Sequence, residues 1–325
     1  MSNVSIFVTH AGCKQLCSFC NQRIISGQLK PVNAEEVKRT LEKALENPNH
    51  KHNQIAFFGG SFTAIGREYM AELLEAAKPY LSEFDGIRIS TRPDAIDEEI
   101  LDFLKHRGVK AIELGAQSLD DEVLKLNRRG HTAADVFTAG KLIKDSGFEL
   151  GLQMMTGLYG DSDEKALETA KKIVSLAPAT VRIYPTVVLE GTELAELYKK
   201  GVYKTQTLEE AINLCVKLIE IFETAGIKII RLGLHESEEV RGNRVAGAYH
   251  PAFKELCLSR IYFNRTFEAL KSRHKGEYKL FVAPKSLSQM IGQKKENINK
   301  LAEQGYKIKV FSDETLGEYE LRIEE

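Results

Sequence analysis

The chain has 325 residues, 43% hydrophobic and 28% charged, enough apolar material for one large core or a large core with a small companion. Its 45 basic and 46 acidic residues leave a formal net charge of -1, so bulk charge points to neither nucleic acid nor a membrane surface. Five cysteines do not make a disulfide framework, no stretch reaches the length of a membrane span, and the N-terminus lacks a basic leader with a cleavage site, so we expect a cytoplasmic protein with no membrane partner.

Along the chain, strand and helix patterns alternate. Residues 4–8 (VSIFV) predict a short buried strand, 34–47 a helix, and 54–60 (QIAFFGG) a strand that ends in glycines. A helix follows at 68–81, a strand at 86–91 (GIRIST), a helix at 97–108 with a glycine stop, and a strand at 109–115 (VKAIELG). Helices at 120–127 and 132–145 lead to a strand at 148–155, a helix at 163–176, and a strand at 180–189 that runs into a loop. Short apolar strands that alternate with helices make βαβ units and a parallel sheet. Six repeats before about residue 200 are too few for a closed eight-fold barrel, so an open, partial one is expected. The unusual residue groups HAGC, GGSF, STRPD, ELGAQS and QMMTG each lie just past a predicted strand, the end of such sheets where active sites sit.

The first of these groups opens a cluster, His10-Ala-Gly-Cys-Lys-Gln-Leu-Cys-Ser-Phe-Cys20, with Cys13, Cys17 and Cys20 in eight residues. Three thiolates are one short of a closed four-coordinate site. A zinc ion needs a fourth ligand, for which His10, Cys215 and Cys257 are candidates, or keeps one position open for catalysis. A 4Fe–4S cluster on three cysteines leaves one iron with free positions, which a small molecule can chelate. Cys215 and Cys257 stand alone in helix-like apolar contexts and read as small buried hydrophobes.

The CxxxCxxC spacing after the first strand resembles the radical S-adenosylmethionine (SAM) superfamily. Gly59-Gly60-Ser61-Phe62 is similar to that family's glycine-rich motif. Residues 90–94, 113–118, 127–132, 182–194 and 247–260 resemble the radical SAM domain of the catalytic subunit of Elongator, a tRNA wobble-uridine modifying enzyme. The resemblance covers roughly residues 1–260. It implies a 4Fe–4S cluster on Cys13, Cys17 and Cys20 and SAM on the open iron. It also implies reductive cleavage to a 5′-deoxyadenosyl radical, with an electron from a flavodoxin- or ferredoxin-type donor. Gly59, Gly60, Ser61, Ser90, Arg92, Glu113, Gln153 and Arg182 are implied as cofactor contacts, and Glu113, Gln117 and Tyr184 as catalytic. Each has a plainer reading: a rim charge for Glu113, a turn salt bridge for Arg92 with Asp94, core packing for Tyr184. Lys14, Gln15 and Leu16 wrap the cluster loop, and Phe19 is expected to shield the cluster from solvent.

Beyond Gly276 the pattern changes to strand, helix, tight loop, helix, strand. Residues 286–298 resemble a KH module, a fold that clamps RNA backbone with a G-x-x-G loop. The loop here is Gly292-Gln293-Lys294-Lys295, with Lys295 at the place of the second glycine. Residues 271–309 hold ten Lys or Arg against three Glu, the local asymmetry expected of RNA contact. The expected organisation is an α/β partial (βα)6 barrel of the radical SAM type over 1–225, a linking segment over 226–275, and a small α+β KH-like domain over 276–325. Only 65 residues follow residue 260, short for an acetyltransferase domain, which argues against acetyl-CoA as cosubstrate. The leading expectation is a radical SAM enzyme for an RNA nucleoside, most simply in tRNA. The alternatives are a radical SAM enzyme for a small molecule or protein side chain, and a non-enzymatic RNA-binding protein with a structural metal.

Overall fold

The computed structural model describes residues 2–8, 13, 16–27 and 30–325. It divides into two compact units, one of residues 1–207 and 220–249, the other of 208–219 and 250–325. These breaks differ from those expected at 225 and 275, because Leu208–Ile219 and the segment from His250 belong with the C-terminal residues.

In the first unit, β1 (Ser2–Phe7), β2 (Asn53–Phe58), β3 (Ile87–Thr91), β4 (Val109–Gln117), β5 (Glu149–Thr156) and β6 (Thr180–Pro185) lie side by side in chain order. After β7 (Val187–Leu189) comes β8 (Lys228–Leu232), which adds a seventh strand next to β6. Every pairing in this sheet is parallel. The sheet curls into an open partial barrel: β1 and β8 are not paired, yet Ser5 and Phe7 of one and Arg231 of the other line the same cavity. The six expected strands are present, and the seventh lies beyond residue 200.

The helices are α1 (Gln22–Ser26), α2 (Ala34–Leu45), α3 (Arg67–Ala77), α4 (Glu98–Lys105), α5 (Asp121–Leu126), α6 (Ala133–Asp145), α7 (Asp163–Ser175), α8 (Glu193–Lys199), α9 (Leu208–Thr224), α10 (Glu238–Gly242) and α11 (Phe253–Leu270). Side-chain caps start most of them; Asn33 with Glu36 and Thr132 with Asp135 form capping boxes. The helix expected to reach residue 81 ends at Ala77, and a 3-10 turn at Lys78–Tyr80 follows, since Pro79 has no N–H to continue the ladder. The strand expected over 180–189 breaks at Pro185, and its second part, β7, turns away to pair antiparallel with β9 (Arg244–Gly247). Outward residues of the strands (Ile55, Phe57, Ile87, Ile89, Ile112, Leu114, Leu150, Leu152, Val181, Ile183) are buried under the helices. The inward face is polar instead, with Arg88, Glu113, Gln153 and Arg182.

The second unit holds β10 (Gly276–Val282), α12 (Leu287–Ile291), α13 (Glu296–Glu303), β11 (Tyr306–Ser312) and β12 (Leu321–Glu324) together with α11. Its sheet has the order β11-β10-β12, with β10 parallel to β11 and antiparallel to β12. Tyr278, Leu280, Val282, Met290, Leu301 and Ile308 form its core. Cys215 and Cys257 are fully buried in helices of this unit.

Gly151 on β5 is where the polar interior leaves no room: a Cβ there would lie 2.8 Å from Glu113 Cγ and 2.9 Å from Thr180 Oγ1. Gly151→Ala should therefore cost about 1–3 kcal/mol, by overpacking beside a buried carboxylate. Gly242→Ala, with nothing within 4 Å of the new methyl, should not. Thermal melts of the two variants by circular dichroism check the contrast.

Candidate active site

A cavity of about 340 Å³ opens at the C-terminal ends of the barrel strands. Its walls include Cys13, Cys17, Cys20, Gly59, Gly60, Ser90, Arg92, Gln117, Gln153, Arg182 and Tyr184. Eleven separately expected residues from six strand ends thus share one cavity. His10, Lys14 and Gln15 lie outside the described residues, and Leu16 is exposed at the cavity wall.

The cysteine loop is pinned from outside. Cys20 N donates to Cys17 O at 3.1 Å, making a tight turn through Ser18 and Phe19. Ser18 Oγ donates to Asn127 Oδ1 at 2.8 Å, and Leu194 N donates to Ser18 O at 2.8 Å. Phe19 is buried with Val123, Leu158, Val188 and Leu194, and Cys17 and Cys20 pack against that cluster. An apolar wall therefore backs two of the three sulfurs. Asn21 caps α1 by accepting from Ile24 N, and Gln22 Nε2 donates to Cys20 Sγ at 3.4 Å.

The thiols sit in a site suited to an iron cluster. Burial, then the neighbouring Cys17, raises the Cys13 thiol and pushes Cys20 up to about 12. Without a cation these groups resist ionisation; iron supplies the charge that makes them thiolates. The Arg129 guanidinium donates to Cys17 Sγ from Nη1 at 3.0 Å and to Gly115 O from Nη2. Among the described residues no three cysteine, histidine, aspartate or glutamate side chains converge on a single ion. A 4Fe–4S cluster asks for something else, one iron per cysteine, so its thiolates stand around a cube rather than meet at a point.

The residues opposite the cysteines are shaped for a ligand. Gly59 has φ 93°, and a Cβ there would press on Phe7 Cδ1 at 3.3 Å; its bare backbone and that of Gly60 face the cavity. Arg92 makes the expected turn salt bridge and also lines the cavity. It binds Asp94 from Nε at 2.8 Å and from Nη2 at 3.1 Å, and it lines the cavity with Nη1 buried and unpartnered. Gln117 sits at φ 65° on a β4 irregularity and also faces the cavity with an unpartnered, buried Oε1. Such atoms await a ligand or water.

Two of the expected residues do not line the cavity. Ser61 is fully buried and does not line the cavity; its Oγ meets Thr91 Oγ1 at 3.0 Å and accepts from Arg92 N at 3.3 Å. Its side chain braces the strand ends, and its backbone hydrogen-bonds the Cys13 sulfur. Glu113, expected as catalytic, is 1% exposed and lies behind the cavity wall. Its carboxylate accepts Arg182 Nε at 2.7 Å and Nη2 at 2.9 Å, Gln153 Nε2 at 2.8 Å and Arg88 Nη1 at 3.3 Å. Its lone pairs are so engaged that it holds Arg182 and Gln153 in place, and Gln153 also donates to Ser90 Oγ at 3.2 Å. Burial works against the Arg182 charge, but Glu113 and Tyr184 outweigh it and hold the guanidinium ionised. Burial raises the Tyr184 phenol, which stays neutral on the cavity wall.

Sequence reasoning missed Arg129, Arg231 and His235, all on the cavity wall. The Asn127-Arg128-Arg129 run was noted, but only the turn at Arg128 (φ 53°) sends Arg129 inward while Arg128 pairs with Glu193 on the surface. Arg231 arrives on the seventh strand, with its Nε donating to Gly233 O at 3.0 Å.

A family model described as the radical SAM superfamily matches residues 7–173, just over half of the chain. The chain belongs to the radical SAM superfamily. A second model, the radical SAM C-terminal domain, matches residues 178–262. The tRNA uridine(34) acetyltransferase of Methanocaldococcus infernus is 40% identical over 199 residues, which cover 54% of this chain and 37% of that protein. An uncharacterized protein of Methanocaldococcus jannaschii is 32% identical over 212 residues, 63% of this chain and 66% of that one. Elongator complex protein 3 of Saccharomyces cerevisiae is 27% identical over 225 residues, 62% of this chain and 40% of that one. The match thus spans well under half of the acetyltransferase and Elongator proteins. Among solved structures, N-terminally truncated Elp3 of M. infernus superposes with TM-score 0.65 at 24% identity, covering 84% of this radical SAM chain and 64% of that one. Methylornithine synthase gives 0.51 at 17%, covering 95% and 83%. The superfamily fold accounts for the curled sheet. No described helix is long and apolar enough to cross a membrane.

Glu113→Ala should cost about 3–5 kcal/mol, because it removes the carboxylate that pairs with Arg182 and one of the two that pair with Arg88. Tyr184→Phe, which keeps the ring, should cost no more than about 1.5 kcal/mol. Chemical denaturation followed by intrinsic tyrosine fluorescence and circular dichroism measures both.

Proposed function

We propose that this protein is a radical SAM enzyme that takes a hydrogen atom from an RNA nucleoside, with tRNA as the substrate class. The observation that carries the reading is the single cavity shared by Cys13, Cys17, Cys20, the bare Gly59–Gly60 backbone and Arg92. A 4Fe–4S cluster with SAM on its open iron supplies, on receiving one electron, methionine and a 5′-deoxyadenosyl radical that abstracts hydrogen. Cys13, Cys17 and Cys20 hold the cluster. Arg129 and Gln22 temper the charge on Cys17 and Cys20, and Phe19 keeps water from two of the sulfurs. The Gly59–Gly60 backbone lets a ligand approach closely, and Arg92 offers its unpartnered Nη1 to a carboxylate. Gln117, Gln153 and Ser90 present polar atoms for a nucleoside, aimed by Glu113. A flavodoxin- or ferredoxin-type protein donates the electron.

Two observations favour RNA. The relatives include a tRNA uridine(34) acetyltransferase and Elongator complex protein 3. The second unit also carries the β-helix-loop-helix-β order of a KH module. Gly292 (φ 77°) ends α12, and a Cβ there would press on Asn297 N at 3.1 Å. Asn297 Nδ2 donates to Gln289 O and Met290 O, fastening α13 to α12 behind the loop. Lys295, at the place of the second glycine, has φ 64°, so it keeps the left-handed turn that glycine would favour, with Lys294 at φ 50°. Gln293, Lys294 and Lys295 thus form a tight, cationic loop fit for phosphate.

Anaerobically reconstituted protein should contain iron and sulfide and release 5′-deoxyadenosine from SAM under dithionite. Cys13→Ala, Cys17→Ala and Cys20→Ala should each abolish release. A colourless protein, or a brown one that never yields 5′-deoxyadenosine, ends the reading. Lys294→Ala with Lys295→Ala should leave uncoupled cleavage intact and weaken tRNA binding, with a salt dependence shallower by about 1–2 in slope. Nucleoside profiles of tRNA from cells with and without the gene identify the product, and an unchanged profile removes tRNA from the proposal.

A further inference from the structure

The second unit has two sides, and the loop occupies only one. On the other, the three-stranded sheet faces solvent. Residues alternate along β10 and β11: Tyr278, Leu280 and Ile308 point into the core, while Lys279, Phe281, Lys307, Lys309 and Phe311 point out. The parallel register sets these outward residues in rows, Lys279 beside Lys309 and Phe281 beside Phe311. The antiparallel register adds Arg322 beside Phe281 and Glu324 beside Lys279.

The aromatic row is stacked. The Phe281 and Phe311 rings lie 5.4 Å apart with 27° between their planes, and the Arg322 guanidinium sits 4.1 Å from the centre of the Phe281 ring. Phe311 remains 41% exposed, one of five large apolar side chains left so open among the described residues. The carboxylates near the lysines are engaged elsewhere. Glu277 pairs with Lys307, and Glu324 and Asp313 pair with Arg322. Lys279 and Lys309, adjacent on one face, have no ion-pair partner among the described residues. Like charges side by side on a sheet are unfavourable, and an anion laid across them removes the cost.

We propose that this open sheet face is a second RNA surface, on which the exposed Phe311 ring, backed by Phe281 and Arg322, stacks a base of a single strand while Lys279 and Lys309 meet its phosphates. Aromatic side chains on an exposed sheet, flanked by cations, are the working parts of single-strand recognition. The inference rests on RNA as the substrate class and adds the kind of RNA segment held, an unpaired one.

The sequence has no tryptophan, so Phe311→Trp introduces a lone reporter that keeps an aromatic face. Titration of the 325-residue chain with a labelled oligouridylate should quench that tryptophan. Phe281→Ala and Phe311→Ala should each weaken binding about five- to 150-fold at unchanged melting temperature. Lys279→Ala with Lys309→Ala should reduce the salt slope by about 1.4. If the reporter is not quenched and both alanine variants bind like the parent, while Lys294→Ala with Lys295→Ala does not, RNA contact is confined to the loop and this proposal fails with the RNA reading intact. If the parent binds neither oligouridylate nor tRNA at low salt, both fail. If Phe311→Ala turns a dimer into a monomer in sedimentation velocity, the face belongs to a protein contact and the proposal is overturned.

Discussion

A carboxylate sealed from water at the middle of the curled sheet governs the first unit. Glu113 carries a charge that burial alone would make costly by several kcal/mol, and it is tolerated because Arg88, Arg182 and Gln153 surround it with charge-assisted hydrogen bonds. Arg88 in turn reaches Gln54 and Glu149, so β2, β3, β4, β5 and β6 are tied through one network. A barrel filled with leucine and valine would be easier to stabilise but would present nothing to a ligand. Here the interior polarity rises through the barrel until Arg182, Gln153 and Ser90 emerge in the cavity, already oriented and with few rotamers left to lose on binding.

At the rim the balance of charge is set differently. Arg92, Arg129, Arg182 and Arg231 reach the cavity, against the carboxylates of Asp94 and Glu113 that tie the first and third of them. That surplus faces the three cysteines on the opposite wall. The apolar cluster around Phe19 lowers the local polarity behind the same sulfurs. Positive groups in front and hydrocarbon behind are opposing influences on a cluster potential. Their combination here comes from two distant stretches of chain, α5 with its turn and the β7–α8 segment.

The second unit shows how few residues separate a structural face from a binding one. Its inner face is an ordinary core of tyrosine, leucine and isoleucine. Its loop holds two lysines in a backbone region that L-residues seldom occupy, at a cost the Asn297 clamp must offset. Its outer sheet exposes phenylalanine and holds two lysines that have no ion-pair partner among the described residues.

Hydrophobic period and cysteine spacing by themselves determined the alternation of strands and helices, the parallel sheet, the cluster loop and the strand-end position of the site, because each is a local pattern that repeats or sits at a fixed offset. Proline and register were only partly legible: Pro79 and Pro185 ended elements that apolar period alone would have carried on. Roles that depend on which way a side chain faces were decided by tertiary structure. Glu113 and Ser61 lie in motifs that point at a ligand, yet Glu113 sits deeper in the interior beneath Gln153 and Arg182, which bond its carboxylate, and Ser61 turns its hydroxyl to Thr91. Arg129, Arg231 and the paired rows of the outer sheet were invisible for the same reason: their neighbours are 14 to 112 residues away in the chain for Arg129, and a strand apart for the lysines and phenylalanines.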